Sequence, residues 1–138
     1  MFIKPFDIKL FTGFVIDQMQ YSSIQDIPDE TEIMAYEVFE HSIESEWRCY
    51  ILNNRVEYIG NYSGDLFVNV DGSYLNSVIR ENSGRFPTAY TIDIGILSSG
   101  ENVVIEFNDM WAIGNYGMPN DMYLRALRER YFEIVRNI

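Results

Sequence analysis

The chain has 138 residues, enough for one ordinary domain with its own core and too few for two comfortable ones. Hydrophobic residues at 47% and charged residues at 22% describe a globular rather than a disordered chain, and 15% aromatics point to several strands with large side chains. A formal net charge of −11 excludes a general affinity for nucleic acid, whose phosphates need a positive partner surface. Cys49 is the only cysteine, so no internal disulfide can form. No charged-then-apolar leader opens the chain, and no run approaches the roughly 18 apolar residues of a membrane span. A cytoplasmic setting without membrane contact is expected.

Met1 to Pro5 reads as a short strand stopped by its proline, and Phe11 to Ile16 is β-rich around Gly13. The acidic stretch from Gln25 to Thr31 is a loop, followed by a strand over Ile33 to Phe39. Glu46 to Leu52 and Arg55 to Asn61 form a hairpin, because the paired asparagines Asn53 and Asn54 tolerate the positive φ of a tight turn. Asp71 can cap a helix over Ser73 to Glu81 whose apolar side is Leu75, Val78 and Ile79. Strands over Ala89 to Leu97 and Asn102 to Asn108 flank a turn at Ser98 to Glu101. Asn120 to Asn137 shows helical spacing at Met122, Leu124, Leu127, Tyr131 and Ile134. The class is α+β, with two antiparallel groups of strands, a C-terminal helix and no linker that divides residues 1–138.

A two-residue turn at Ser99 and Gly100 pairs Ser98 with Glu101, and so sets Asp93 opposite Glu106 and Thr91 opposite Asn108. Strand side chains alternate between faces. Ile92, Ile94 and Ile96 then share an uninterrupted apolar face with Val103, Ile105 and Phe107, while Asp93, Glu106 and Asn108 share the other. A three-residue turn would break this pairing. Facing carboxylates about 5 Å apart repel by roughly 3 kcal/mol at an effective dielectric near 20. A hard divalent cation reverses that sign, and two carboxylates with an amide oxygen are ligands that Mg²⁺ accepts. The plainer alternative is a solvated face with an incidental cross-strand pair.

The order Asp93, Glu106, Asn108 on consecutive strands resembles the metal-ligand pattern of ATP-grasp enzymes. The flanking residues Ala89 to Gly95 and Val104 to Asp109, then Trp111 and Gly114 to Gly117, look like the clade named for one arginine and two lysines. The resemblance implies that Lys4, in Phe2 to Pro5, contacts the ATP phosphates. Lys9 with Gly13 stands where the family has a longer glycine-rich phosphate loop; with one glycine, a side-chain contact from Lys9 replaces the backbone cradle. Tyr36 to Phe39 matches the inter-lobe hinge that reads adenine, through Glu37 and Val38. Glu46 stands at the ribose-binding acid and Arg48 at the clade arginine. Alternation puts Glu46 and Arg48 on one strand face, and Trp47 and Cys49 on the other. The plainer readings are surface charge for Lys4, Lys9 and Arg48, and a surface ion pair worth about 0–1 kcal/mol for Glu46 and Arg48. His41 reads as a loop residue and Cys49 as packing. Trp111 and Tyr116 line either the acceptor side or a packed rim.

The implied activity is that of an ATP-dependent carboxylate–amine ligase using ATP with Mg²⁺ or Mn²⁺. A substrate carboxylate attacks the γ-phosphorus, an acyl-phosphate forms, and an amine of an amino acid or peptide displaces phosphate. Lys9 and Arg48 are the catalytic cations of this scheme, since such chemistry needs positioning and charge neutralisation more than a nucleophile. Residues 1–40 correspond to a remnant of the small lobe and hinge, and 41–138 to the large lobe. The family's preceding substrate domain and the first part of its small lobe are absent from this stretch, which implies a truncated, split or degenerate relative. The exposed edge that would result, and Phe2, Phe6, Phe11 and Phe14, imply a homodimer or a separately encoded partner. A catalytically incomplete lobe that binds nucleotide or regulates a partner, and a purely structural module, remain the alternatives.

Overall fold

The computed structural model describes residues 1–6, 10–16 and 27–136. They divide into two compact units, Met1–Glu40 and His41–Ile138. Lys9 and the start of the acidic loop, Gln25 and Asp26, lie outside the described residues.

The first unit is a three-stranded antiparallel sheet of β1 (Phe2–Pro5), β2 (Phe14–Val15) and β3 (Ile33–Tyr36), in the order β2-β1-β3. The N-terminal strand is therefore the paired centre of its sheet, with β2 and β3 on either side. Pro5 can end it because the next pairing, Phe6 N–H to the Glu32 carbonyl at 3.0 Å, falls beyond the proline. Ile3, at 2% exposure, is the buried residue of this strand. Phe11 and Phe14 pack ring to ring at 5.7 Å, whereas Phe6 stays exposed. The strand expected to reach Phe39 stops at Tyr36, and Glu37 to Phe39 continue exposed.

The second unit is built on a four-stranded antiparallel sheet, β5-β4-β6-β7, from β4 (Ile43–Leu52), β5 (Arg55–Gly64), β6 (Ala89–Leu97) and β7 (Asn102–Asp109). Asn53 and Asn54 carry φ of 52° and 58°, the paired positive values of a tight hairpin turn. Helix α1 (Gly72–Glu81) begins where the Asp71 carboxylate accepts the Ser73 N–H at 2.7 Å, satisfying one of the first turn's orphan donors. Its Leu75, Val78 and Ile79 pack on Cys49, Ile51, Tyr90, Ile92 and Ile94 to form one core. Burying such side chains contributes roughly 1.5–3 kcal/mol each, so this face dominates the stability of the unit.

The opposite face is covered only in part. A 3-10 turn (Met110–Ala112), the following loop and helix α2 (Asn120–Arg136) bring Met110, Met118 and Ala126 onto Tyr50, Leu52 and Ala89. Met122, Tyr123 and Leu127 flank this second core, but Leu124 and Tyr131 point outward at 62% and 47% exposure, against the side assigned from spacing. Tyr131 instead lies against exposed Trp111, ring centroids 5.8 Å apart. No described helix is long and apolar enough to cross a membrane.

The acidic pairing is observed, by a different route from the one expected. The β6–β7 turn holds three residues, Ser98 to Gly100, closed by Leu97 N–H to the Glu101 carbonyl at 2.8 Å. Gly100 takes φ of +86°, a left-handed conformation that glycine adopts without strain. Ile94 consequently faces Val104, and Gly95 faces Val103. One extra residue in β7, Ile105, then restores the count, so that Asp93 faces Glu106 and Thr91 faces Asn108. The bulge moves side chains between faces. Val104 and Phe107 pack on the α1 core, while Val103 and Ile105 lie over Gly95 on the acidic face. The apolar face expected from strict alternation is corrected at those two positions.

Candidate functional site

The other half of this second sheet face carries the charged residues. Register places Arg48 of β4 opposite Asp93 of β6, Asp93 opposite Glu106 of β7, and Glu46 opposite Gly95. Glu46, Arg48, Asp93, Glu106 and Asn108 thus share one face of one sheet. Tyr50, on the same face, marks the edge of the covered half.

Arg48 and Asp93 are both nearly inaccessible, at 4% and 1% exposure. Arg48 Nε donates to Asp93 Oδ1 at 2.8 Å and Nη2 to Oδ2 at 2.5 Å, a bidentate pair. The same Nη2 stands 4.0 Å from Glu106 Oε1. Asn108 Nδ2 donates to that Oε1 at 2.9 Å. The carboxylates that face each other across β6 and β7 are thus offset by a guanidinium of the chain itself. Breaking such a buried pair by removing one partner costs about 3–5 kcal/mol, because a charge is left uncompensated.

Two tyrosines hold the guanidinium in place. Its carbon lies 4.8 Å from the centre of the Tyr62 ring and 4.7 Å from that of Tyr116, within cation–π reach of both. Tyr116 comes from the loop after the 3-10 turn, which the Tyr50 hydroxyl pins to the sheet. That hydroxyl donates to the Gly114 carbonyl at 2.7 Å and accepts the Tyr116 N–H at 3.0 Å. Gly60, opposite Arg48, makes room: a Cβ there would stand 2.4 Å from the Tyr116 carbonyl oxygen. Tyr62 escapes a count from the Asn53–Asn54 turn because Glu57 is an extra residue, between Val56 opposite Ile51 and Tyr58 opposite Tyr50, which moves Tyr58, Gly60 and Tyr62 onto the Arg48 face. Spacing offers Tyr116 for an acceptor or a rim, but gives no sign of its contact with Arg48.

Burial pushes the Asp93 carboxyl above its ordinary value, Glu106 adds to that push, and the Arg48 bonds oppose it. For Arg48, burial alone would favour the neutral form, but the Asp93 bonds outweigh it and hold the guanidinium charged. Burial also raises Glu46, with Asp93 and Glu106 adding and Arg48 opposing. Burial raises Cys49 to about 12, so this thiol of the α1 core is packing and no nucleophile at neutral pH. His41 is exposed.

Among the described residues, no three acidic, His or Cys side chains close around a single point. The chemistry of a divalent cation is nevertheless matched by Glu106 and Asn108, adjacent oxygen-bearing side chains of which Glu106 is about a third exposed. Thr91, opposite Asn108, has a buried hydroxyl oxygen with no hydrogen-bond partner. Asp93 shares their face but has both oxygens engaged by Arg48.

In the first unit, Lys4 of β1 stands opposite Met34, and its Nζ lies 5.5 Å from the centre of the Tyr36 ring. Tyr36, Glu37 and Val38 line a concavity with Met1 and Ala35. The hinge candidates therefore border a surface hollow.

Among known families, a model of the ATP-grasp domain matches residues 1–126, nearly the whole chain. It describes family 2 of the clade named for one arginine and two lysines. No curated protein matches the chain.

Proposed function

Because the chain belongs to the ATP-grasp domain family, in family 2 of the arginine-and-two-lysine clade, we propose that it is the ATP- and Mg²⁺-binding part of a carboxylate–amine ligase. ATP-grasp domains are in general ATP-binding domains of ligase type, and their fold accounts for the mixed antiparallel architecture. The observation that carries the finer reading is the convergence of Glu46, Arg48, Asp93, Glu106 and Asn108 on one half-covered sheet face.

Lys4, with Lys9, holds the phosphates, and the backbone at Glu37 and Val38 reads adenine above the hollow beside Tyr36. Glu46 takes the ribose hydroxyls. Glu106 and Asn108 hold Mg²⁺ or Mn²⁺, which neutralises phosphate charge when bound. Arg48 and Lys9 supply fixed positive charge as the carboxylate of an amino acid or peptide is converted to an acyl-phosphate and then captured by an amine. Catalysis then rests on placement and charge, in keeping with a face that carries acids, an amide and a guanidinium. ATP titration tests the phosphate role: Lys4→Ala weakens binding by about tenfold or more, roughly one charge-assisted contact, while exposed His41→Ala leaves it within about twofold. Equal behaviour of the two variants would remove Lys4 from the site.

A second reading is favoured by one observation, the engagement of both Asp93 oxygens by Arg48. An ATP-grasp lobe with Asp93 so committed would bind nucleotide, or regulate a partner, without turning over. Phosphate release in the presence of mixed amino acids and peptides separates the two readings: release supports the ligase, and ATP binding without release supports the incomplete lobe.

A further inference from the structure

The positive charge at the centre of the acidic face belongs to the chain itself. Arg48 touches both Asp93 oxygens, stands 4.0 Å from Glu106, and is held between the Tyr62 and Tyr116 rings. We infer that Arg48 is the resident counter-ion of this site and competes with a divalent cation for Asp93, so that a cation binds first at Glu106 and Asn108 alone. The inference rests on the metal-binding reading above and adds an order to it.

The reasons are geometric and electrostatic. A carboxylate has about four lone-pair sites, and Arg48 engages one on each oxygen in a fork that fixes the carboxylate plane. With Asp93 at 1% exposure, a hydrated cation cannot approach it without displacing the guanidinium. Arg48 also repels a cation seated at Glu106, because Nη2 is already 4.0 Å from Oε1. Arg48 thus lowers the affinity of the site for the cation twice, by occupying one acid and by opposing the charge at the other. Arg48 and Asp93 taken together are close to electrically silent, since their charges cancel.

This yields an outcome opposite to that of an ordinary contact residue, whose removal weakens binding. The test is Mn²⁺ titration of the full chain without nucleotide, followed by calorimetry and by electron paramagnetic resonance of free Mn²⁺. Arg48→Gln, which frees Asp93, binds Mn²⁺ at least about fivefold more tightly than the unmodified chain. The double variant Arg48→Gln with Asp93→Asn, which removes the pair as a neutral unit, binds within about twofold of the unmodified chain. Arg48→Gln binding no more tightly overturns the competition, and so does a double variant about tenfold weaker or more, which would make Asp93 a ligand from the start. If Arg48→Gln fails to fold, the double variant, with the pair removed as a neutral unit, still overturns the order if it binds about tenfold weaker or more. Absence of Mn²⁺ binding by the unmodified chain would reject the metal reading itself together with the order built on it. Binding that fails to tighten in Arg48→Gln rejects the order only.

Discussion

Glu46 and Asp109 show how single carboxylates on this chain respond to pH in opposite senses. Burial raises Glu46 above its ordinary 4.5, helped by Asp93 and Glu106, so the folded chain takes up this proton before the unfolded chain does. Acidification through that raised value therefore adds stability, down to the unfolded value. Asp109 is lowered, chiefly by the Arg130 guanidinium, whose Nε bonds both its oxygens at 2.9 and 3.0 Å. Its contribution is present above the unfolded value and is lost as pH falls through the folded one. Asp109 is partly exposed, so its effect is reduced by solvent screening. The melting temperature should accordingly rise as pH falls toward the ordinary Glu46 value of 4.5 and fall again below the ordinary Asp109 value of 3.8. Glu46→Gln should reduce the rise, of which Asp93, raised by burial as well, keeps its share, and should spare the acid fall, as read by thermal denaturation at each pH. A rise unchanged in the variant would assign it to other groups.

At the scale of elements, the site depends on small departures from regular strands. The Ile105 bulge restores Asp93 to Glu106 after a three-residue turn, and the extra residue Glu57 in β5 puts Tyr62 on the face of Arg48. Between them the loop from Gly114 to Gly117 can lie on the sheet only because Gly60 has no Cβ. Gly60→Ala would place a carbon 2.4 Å from the Tyr116 carbonyl oxygen, a backbone atom rather than the end of a flexible side chain, and 3.1 Å from Tyr58 Cε1. A loss of about 1–3 kcal/mol is expected, the range for overpacking, with Tyr116 displaced from Arg48. Gly72→Ala is the control, since its Cβ would meet nothing within 4 Å. Chemical denaturation should separate the two variants. Equal stability would show that the loop is not seated on β5.

For the whole molecule, exposed apolar side chains decide which association is worth testing. Leu124, Tyr131, Phe132 and Val135 of α2 are each more than two-fifths exposed, and Trp111 joins them through Tyr131. In the first unit β1 is paired on both sides, so strand addition there would have to use β2 or β3. We propose self-association as the form in which the chain works, with a separately encoded partner as the other form. Light scattering over a wide concentration range should give twice the chain mass at the upper end. A monomer throughout would reject the homodimer.

Much of this was present in the sequence because it is local. The asparagine turn, the Asp71 cap, the strands around Asp93 and Glu106 and the span of α2 follow from short-range chemistry and periodicity. Even the pairing of Asp93 with Glu106 was legible, although the turn and the bulge that produce it are two offsetting departures. The bulge was not legible, since one added residue in a strand is settled by packing on both sheet faces at once. Nor was the partner of Arg48: β4 and β6 are joined by no turn whose length could be counted, with β5 and α1 intervening. Residue types alone match Arg48 to Glu46, its neighbour on the same strand face. Tertiary structure pairs it instead with Asp93, because a bidentate fork across adjacent strands satisfies two buried charges at once.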